Sequence, residues 1–269
     1  MALAEDRAAE DVTTLATVDG ALRGRAIFLA KEPGVLAGMN IVAEVFRQLG
    51  GGVRVDALLA EGARFDDRAH LATAEGPVRE LLQGERVALN FLQRLSGTAT
   101  LTSLFVAEVA GTKAVILDTR KTTPGLRDME KYAVRCGGGT NHRRDLAVMA
   151  MIKDNHREAL AREERSLADG VAAIRQRSPG VPVEVEIDAL DQLEDALAGR
   201  PEWVLLDNMT NDAMAEAVRR TAGRAKLEAS GGVNLQTVRA IAETGVNAIS
   251  VGALTHSARA LDISLDLDF

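Results

Sequence analysis

The feature that most constrains the fold of this chain is a regular alternation of apolar runs and helical patterns after residue 110. Six short β-branched or aliphatic runs occur at 114–117, 148–152, 183–187, 203–206, 226–229 and 248–251. Stretches with helical spacing separate most of them, for example 157–176, 190–197, 212–222 and 235–243. This alternation predicts a parallel sheet covered by helices. Only the connection between the first two runs is unusually long, and long connections in compact domains tend to be functional.

Each of the six apolar runs ends in a polar or glycine-rich signature, and this favours a closed sheet over a doubly wound one. The endings are Asp118-Thr119-Arg120-Lys121, Lys153-Asp154-Asn155-His156, Glu186, Asp207-Asn208, Ser230-Gly231-Gly232 and Gly252. A (β/α) barrel builds its active site from loops at the carboxyl ends of many strands. An open sheet more often gathers its polar ends at one switch point. The residues therefore favour a barrel.

The first hundred residues have a different pattern of apolar residues and glycines, which predicts a small α+β unit. Short extended segments at 25–30 and 53–59 are separated by glycine-bearing turns, with an amphipathic helical stretch at 39–49. Helical spacing then runs from 77 to about 110. The tail from 262 alternates apolar residues and is predicted to return as a strand on this unit, with Ile263, Leu265, Leu267 and Phe269 in its apolar set.

Composition narrows the class of protein. The formal charge of −7 disfavours nucleic-acid binding, although a basic pocket for a small anion remains compatible with it. The single cysteine, Cys136, allows no disulfide within the chain and indicates a reducing compartment, so we expect a cytoplasmic protein. The first twenty residues do not resemble a signal peptide, and no apolar run is long enough for a membrane span, so we expect no membrane association.

A dense basic block lies between residues 119 and 144 of this acidic chain. Three of its cations, Arg127, Lys131 and Arg135, fall at helical spacing and fit a solvated helix face equally well. Others flank a strand end and a triple-glycine loop at 137–139, namely Arg120, Lys121, His142 and Arg143. The arginine fork matches carboxylates and the lysine point charge suits phosphate, so these residues are candidate ligands for anionic substrates.

Two small-residue turns follow the last two apolar runs. They are Ser230-Gly231-Gly232 and Ser250-Val251-Gly252-Ala253. Barrel folds build phosphate sites from the backbone N–H groups of such turns in consecutive strand–helix units. His256, four residues after Gly252, is either a helix cap or a member of the same phosphate site.

Two acidic residues end strands, Glu186 after 183–185 and Asp207 after 203–206. Strand alternation places Glu184 on the same face as Glu186, so Glu184 is not dismissed. A carboxylate that points into a barrel mouth needs a cation, and Mg²⁺ bridging a pyrophosphate is one such partner. The alternative is that Glu186 and Asp207 neutralise Lys121 and Lys153.

Together these segments resemble the nicotinate-nucleotide pyrophosphorylase (carboxylating) family, also called quinolinate phosphoribosyltransferase. The most specific match is the block DTRKTTPGLRDMEKYAVRCGGGTNHRRDL, and MIKDNH, VEVEID, LLDNM, EASGGVN and SVGALTHS follow in the family's order. The resemblance implies α/β plus α+β architecture, with an N-terminal α+β sandwich-like domain and a C-terminal incomplete (β/α) barrel. The implied limits are 1–98, joined by the tail 260–269, and 99–259.

The resemblance also implies an activity and a set of site residues. Phosphoribosyl would pass from phosphoribosyl pyrophosphate to quinolinate with decarboxylation, which makes the chain a pentosyltransferase of NAD biosynthesis. Quinolinate would be held by Arg86, Arg120, His142, Arg143 and Lys153. Phosphoribosyl pyrophosphate would contact Lys121, Ser230, Gly231, Gly252 and His256. Lys121, Glu186 and Asp207 would be catalytic, with Glu186 and Asp207 near Mg²⁺, and a homodimer or dimer-based oligomer would place Arg86 in the neighbouring site.

Three alternatives remain at this point. A paralogue of the type associated with molybdenum-transport genes would use a different acceptor. A Schiff-base aldolase on the same barrel would use Lys121 or Lys153, although the two phosphate turns and the paired acids suit that chemistry less well. A non-catalytic sensor of phosphoribosyl pyrophosphate would need the glycine turns without the acids or the carboxylate-binding residues.

Overall fold

The computed structural model describes residues 1–268, and the chain divides into two compact units. The first contains Met1–Ser103, Asp128–Gly138 and the C-terminal segment from Ser257. The second contains Leu104–Arg127 and Gly139–His256. The domain limits expected from the sequence stay predictions.

Strands and helices cover most of both units. The strands are β1 (Arg23–Ala30), β2 (Gly34–Val35), β3 (Arg54–Ala57), β4 (Arg64–Phe65), β5 (His70–Pro77), β6 (Val115–Leu117), β7 (Ala150–Ile152), β8 (Val183–Ile187), β9 (Trp203–Asp207), β10 (Lys226–Ser230), β11 (Ala248–Ser250) and β12 (Ile263–Asp268). The helices are α1 (Ala2–Glu5), α2 (Val12–Thr17), α3 (Met39–Leu49), α4 (Val78–Glu108), α5 (Arg127–Cys136), α6 (Asp154–Arg162), α7 (Leu167–Arg177), α8 (Leu193–Ala198), α9 (Asn211–Thr221), α10 (Val238–Glu243) and α11 (Ala253–His256).

The first unit is built on a four-stranded antiparallel sheet in the order β12-β1-β5-β3. Helix α3 packs Val42, Val45 and Phe46 into its core, which is the apolar face that the sequence spacing predicts. Strand β12 pairs with β1 from Ala30↔Ile263 onward. The predicted return of the tail is therefore confirmed up to residue 268, and Phe269 lies outside the described residues.

The helical spacing that begins at residue 77 belongs to one long helix, α4, of 31 residues. Its buried side chains in the first unit include Leu81, Leu89, Leu92 and Leu95. The length would suffice for a bilayer, but charged residues recur along it. Among residues 1–268, none of the helices combines the length and the apolar character that a membrane span requires.

The second unit contains a six-stranded sheet, all parallel, in the order β6-β11-β10-β9-β8-β7. Residues on both faces of β8 are buried, with Val183, Val185 and Ile187 on one face and Glu184 on the other. Strands β6 and β7, consecutive in sequence, stand at opposite ends of this order. The incomplete (β/α) barrel expected from the resemblance is confirmed.

One element prediction is wrong. The helical pattern at 157–176 predicts a single helix, but the chain forms α6 and α7 with a break between them. Glu164 adopts a positive φ of 55°, which ends the first helix. Ser166 then starts the second, because its hydroxyl accepts the Asp169 N–H while the Asp169 carboxylate accepts the Ser166 N–H. Apolar periodicity continues through this break, so spacing alone does not detect it.

Candidate active site

The carboxyl ends of the parallel strands surround a cavity of about 610 Å³ in the second unit. Nine of the residues expected from the sequence line this cavity: Arg120, Lys121, His142, Arg143, Lys153, Glu186, Asp207, Ser230 and Gly231. Thr119, Met151, Leu205, Asn208, Glu228, Gly232 and Ser250 complete the lining. The polar strand ends thus meet in one place, as parallel strands of a barrel require.

Three expected residues lie elsewhere. Gly252 and His256 are outside the lining, but a Cβ built on Gly252 would lie 3.0 Å from His256 Nε2 and 3.1 Å from Lys121 Cδ. Gly252 therefore lies beside the side chains of both Lys121 and His256. Arg86 belongs to the first unit, where its side chain is 59% exposed and lies 3.7 Å from the Glu85 carboxylate.

The loop that carries His142 and Arg143 is anchored by Asp118 at the end of β6. Asp118 is fully buried, and its carboxylate accepts hydrogen bonds from the Asn141 side chain at 2.6 Å and from the His142 N–H at 2.8 Å. Thr140 pairs with β6 immediately before this point. The long connection after β6 is therefore held back against the strand from which it departs.

His142 lies between two buried carboxylates. Its Nε2 is 3.2 Å from Glu184 on β8 and 3.2 Å from Glu228 on β10. Burial disfavours a charged ring, but the two carboxylates outweigh it and raise the pKa of His142 to about 9. The Arg143 N–H lies 2.7 Å from Nδ1 and makes that nitrogen an acceptor, which opposes a second ring proton. Both influences place a proton on Nε2, facing the carboxylates.

The Glu184 carboxyl is the most deeply buried acid of this cluster. Burial and the neighbouring Glu228 charge raise its pKa above the ordinary value, and His142 opposes the shift only in part. Glu228 is 2% exposed and is the one carboxylate of the pair that lines the cavity.

Two arginines occupy the same end of the cavity. Burial and the nearby Arg120 charge lower the pKa of Arg143, while Glu184, Glu228 and Glu186 act in the opposite direction. The Arg143 guanidinium donates to the Met149 carbonyl at 3.1 Å, and the Arg120 Nε has no hydrogen-bond partner among residues 1–268. Arg120 therefore keeps a donor without a partner among residues 1–268. The two guanidinium groups are placed to bind an anion from outside the protein.

Two further acids lie on the neighbouring strand ends. The Lys153 Nζ is 3.4 Å from Glu186, whose side chain is largely buried. Asp207 accepts a hydrogen bond from the Asn208 side chain at 2.8 Å. Both carboxylates thus face cavity space and retain free acceptor positions, since each oxygen can accept more than one hydrogen bond.

The turn after β10 approaches the turn after β9 very closely. Asn208 has φ 53° and donates its N–H to the Ser230 carbonyl at 2.9 Å. Gly231 has φ 96°, and a Cβ built on it would lie 2.1 Å from Asn208 Oδ1. Glycine is required there for both conformation and space.

Lys121 is fixed through its backbone. Its N–H donates to Thr119 Oγ1 at 3.0 Å, and its carbonyl accepts from Thr255 Oγ1 at 2.8 Å. The loop after β6 is thereby tied to α11, and the lysine side chain extends into the cavity.

Sequence reasoning missed Glu228, Met151 and Leu205. The signal for Glu228 was available, because it precedes Ser230 by two residues and alternation places the two on one face of β10. The pairing of Glu186 and Glu228 with Leu205 in the β8-β9-β10 register puts all three at one level of the sheet. Met151 and Leu205 carry no sequence signal that separates them from core residues.

A parallel barrel sheet whose strand ends enclose four permanent cations and three carboxylates defines the class of (β/α)-barrel enzymes that act on anionic substrates. Family comparison identifies the chain more closely. The model for the quinolinate phosphoribosyl transferase C-terminal domain matches residues 98–266, and the model for its N-terminal domain matches residues 11–96. The chain belongs to the quinolinate phosphoribosyl transferase family.

Individual relatives agree over nearly the full chain. The nicotinate-nucleotide pyrophosphorylase [carboxylating] of Mycobacterium leprae is 46% identical over 272 residues, covering 99% of this chain and 94% of the relative. The quinolinate phosphoribosyltransferase [decarboxylating] 1 of Nicotiana glauca is 39% identical, covering 100% and 81%. Among solved structures, the nicotinate-nucleotide pyrophosphorylase from Francisella tularensis aligns with a TM-score of 0.92 at 38% identity, covering 99% and 93%.

Proposed function

We propose that this protein transfers the phosphoribosyl group of phosphoribosyl pyrophosphate to quinolinate, with loss of CO₂, and so forms nicotinate mononucleotide and pyrophosphate. The observation that carries the proposal is the single cavity in which Arg120, Lys121, Arg143 and Lys153 converge with carboxylates and a glycine turn. The names of the relatives support the same activity. Two anionic reactants held face to face need such a cationic cavity.

The acceptor would bind at the end of the cavity that holds the arginines. Quinolinate carries two adjacent carboxylates, and the forks of Arg120 and Arg143 suit them. Lys153 would add a third cation, and His142 would lie beside the pyridine ring of quinolinate. Arg86 would complete the acceptor site from the other subunit of a homodimer.

The donor would bind at the glycine-turn end. Backbone N–H groups around Ser230 and Gly231 would donate hydrogen bonds to the phosphate, together with the region of Gly252 and His256. Lys121 lies beside Gly252, so its ammonium would face the pyrophosphate.

Glu186 and Asp207 fit Mg²⁺ by the chemistry of their donors, because this ion prefers carboxylate oxygens and water. Both line the cavity and would hold the ion directly or through water. When bound, Mg²⁺ would stabilise the negative charge of the pyrophosphate.

The protein's own residues act mainly by orientation and charge. The bond between ribose C1 and the pyrophosphate oxygen breaks, and its electron pair leaves with pyrophosphate beside Lys121. The pyridine nitrogen lone pair forms the new bond to C1, and the carboxylates of Glu186 and Asp207 would stabilise the positive charge of the transition state. The ring nitrogen is now cationic, so C2 can keep the electron pair when its carboxylate leaves as CO₂, and a proton from water then adds to C2.

The first prediction concerns Lys121. Purified protein with quinolinate, phosphoribosyl pyrophosphate and Mg²⁺ is expected to form nicotinate mononucleotide and CO₂ in equal amounts. Lys121→Ala is expected to lower kcat by roughly a hundredfold or more, because one charge on the leaving group is lost. Lys113→Ala, an exposed lysine at the opposite end of the sheet, is the control that should match wild type.

The outcomes separate the alternatives. Absence of product, with phosphoribosyl pyrophosphate still bound, would favour the paralogous transferase and direct the search to other nitrogen acceptors. Activity that is unaffected in Lys121→Ala would contradict the role proposed for Lys121. We also propose the cytoplasm as the site of the reaction, on the basis of the single cysteine in the chain.

A further inference from the structure

The carboxylates of Glu184 and Glu228 are buried beside the cavity, and the chemistry proposed above does not use them. Their side chains are 0% and 2% exposed, and both approach the same nitrogen of His142 at 3.2 Å. Two carboxylates in this position repel each other and lose most of their hydration. An arrangement this unfavourable requires a compensating role.

Folding stability does not supply that role. Neither oxygen of Glu184 receives a well-aligned hydrogen bond from residues 1–268, so its 3.2 Å approach to His142 Nε2 is an ionic contact. Replacement of buried ionic groups by apolar residues of similar volume is often neutral or stabilising.

Affinity for an anion does not supply it either. A negative charge beside a cavity that receives anionic substrates opposes their binding. Glu228 lines that cavity, and both carboxylates act electrostatically on Arg143. Their contacts indicate a geometric contribution instead.

The geometry is a chain of contacts from the sheet to the loop. Nε2 of His142 faces the two carboxylates, and Nδ1 accepts the backbone N–H of Arg143 at 2.7 Å. Both nitrogens of the ring are engaged within the protein. The ring thus connects rigid strands β8 and β10 to the backbone that carries the Arg143 guanidinium.

We infer that Glu184 and Glu228 are positioning residues, which fix the ring of His142 and through it hold Arg143 in the orientation that the acceptor requires. This inference rests on the proposed function. Loss of one carboxylate frees the ring and loosens Arg143, so the acceptor binds in unproductive orientations. The loss also removes a repelling charge, so acceptor binding itself does not weaken.

The test is a kinetic comparison of Glu228→Gln and Glu184→Gln with wild type. We expect kcat to fall roughly tenfold or more, while the KM for quinolinate stays equal or decreases and the KM for phosphoribosyl pyrophosphate is unchanged. A general loss of structure would instead raise both KM values and lower the thermal midpoint. Glu194→Gln, which removes an exposed carboxylate paired with Arg224 on the outer surface, is the matched control and should behave as wild type.

A second readout is independent of turnover. The Nε2 proton of His142 is expected to give a slowly exchanging resonance in the ring ¹H–¹⁵N spectrum of wild type, assigned by its loss in His142→Gln. It should shift or disappear in both glutamate variants and persist in Glu194→Gln. The inference is overturned if kcat of both glutamate variants stays within about twofold of wild type, or if this resonance is unchanged in them. If the wild-type protein shows no turnover, the proposed function is refuted. The spectra of the glutamate variants would then still test whether Glu184 and Glu228 position His142.

Discussion

Gly231 shows how narrowly a single position in the cavity is constrained. Its φ of 96° and the 2.1 Å that would separate a Cβ from Asn208 Oδ1 exclude any larger residue without backbone movement. We expect Gly231→Ala to raise the KM for phosphoribosyl pyrophosphate by roughly tenfold, because the turn that we propose as its phosphate site must shift. Unfolding free energy should fall by about 1–2 kcal/mol, from the left-handed conformation alone.

Gly180→Ala provides the control for this prediction. Gly180 also has a positive φ, 84°, but a Cβ there would meet no atom within 4 Å. It should lose a similar amount of stability in urea denaturation while both KM values stay unchanged. Equal kinetic effects of the two substitutions would contradict a specific role for the turn.

Individual site residues were predictable where polarity follows an apolar run. Arg120, Lys153 and Asp207 stand at strand ends, and parallel strands bring such ends together. Glu228 was not predicted, because a lone acid within a strand more often marks a solvated face than a buried carboxylate. The contacts of His142 with Glu184 and Glu228 join three separate segments, and no local pattern encodes such a meeting.

At the scale of secondary-structure elements, residue spacing predicts helices and strands well where each buries one set of apolar residues, but it does not detect a break between two helices. Helix α3 and strand β8 have the bounds that alternation and periodicity gave, because each buries one well-defined set of apolar residues. The break between α6 and α7 was missed because a cap acts through the Ser166 side chain rather than through apolar spacing.

Strand β12 is secured by a carboxylate outside the strand, and this gives a prediction for pH. Glu32 binds the Arg259 guanidinium and also accepts the Asp262 N–H at 2.9 Å. The Arg259 hydrogen bond outweighs burial and holds the pKa of Glu32 below its ordinary value of 4.5. A lowered carboxyl pKa stabilises the folded state at pH values above the ordinary pKa of that group. This contribution is lost as the pH falls through the folded-state pKa.

We therefore expect Glu32→Gln to be less stable than wild type at neutral pH, with the difference shrinking below about pH 4.5. Urea denaturation at a series of pH values measures this directly. Asp266→Asn, an exposed carboxylate of β12 itself, leaves Glu32 and Arg259 intact and is the matched control. A constant difference between Glu32→Gln and wild type across the acid range would argue against the ion pair.

At the scale of the whole molecule, the proposed dimer makes a test of Arg86 possible. If Arg86 acts in the partner's site, Arg86→Ala and Lys121→Ala subunits are each nearly inactive alone. A mixed dimer would contain one site with both defects and one intact site. Unfolding and refolding an equal mixture should therefore recover roughly a quarter of wild-type activity, since half of the dimers are mixed. Activity equal to the mean of the separate variants would refute a shared site.

The two larger sheets also constrain the order in which strands can pair during synthesis. Strand β1 pairs with β12, and β6 pairs with β11, so each of these sheets joins one strand to another that is synthesised much later. Until then β1 keeps an open edge next to apolar residues such as Phe28, and open edges template association between chains. A nascent chain stalled before residue 263 should therefore aggregate more readily than one in which β12 has paired with β1.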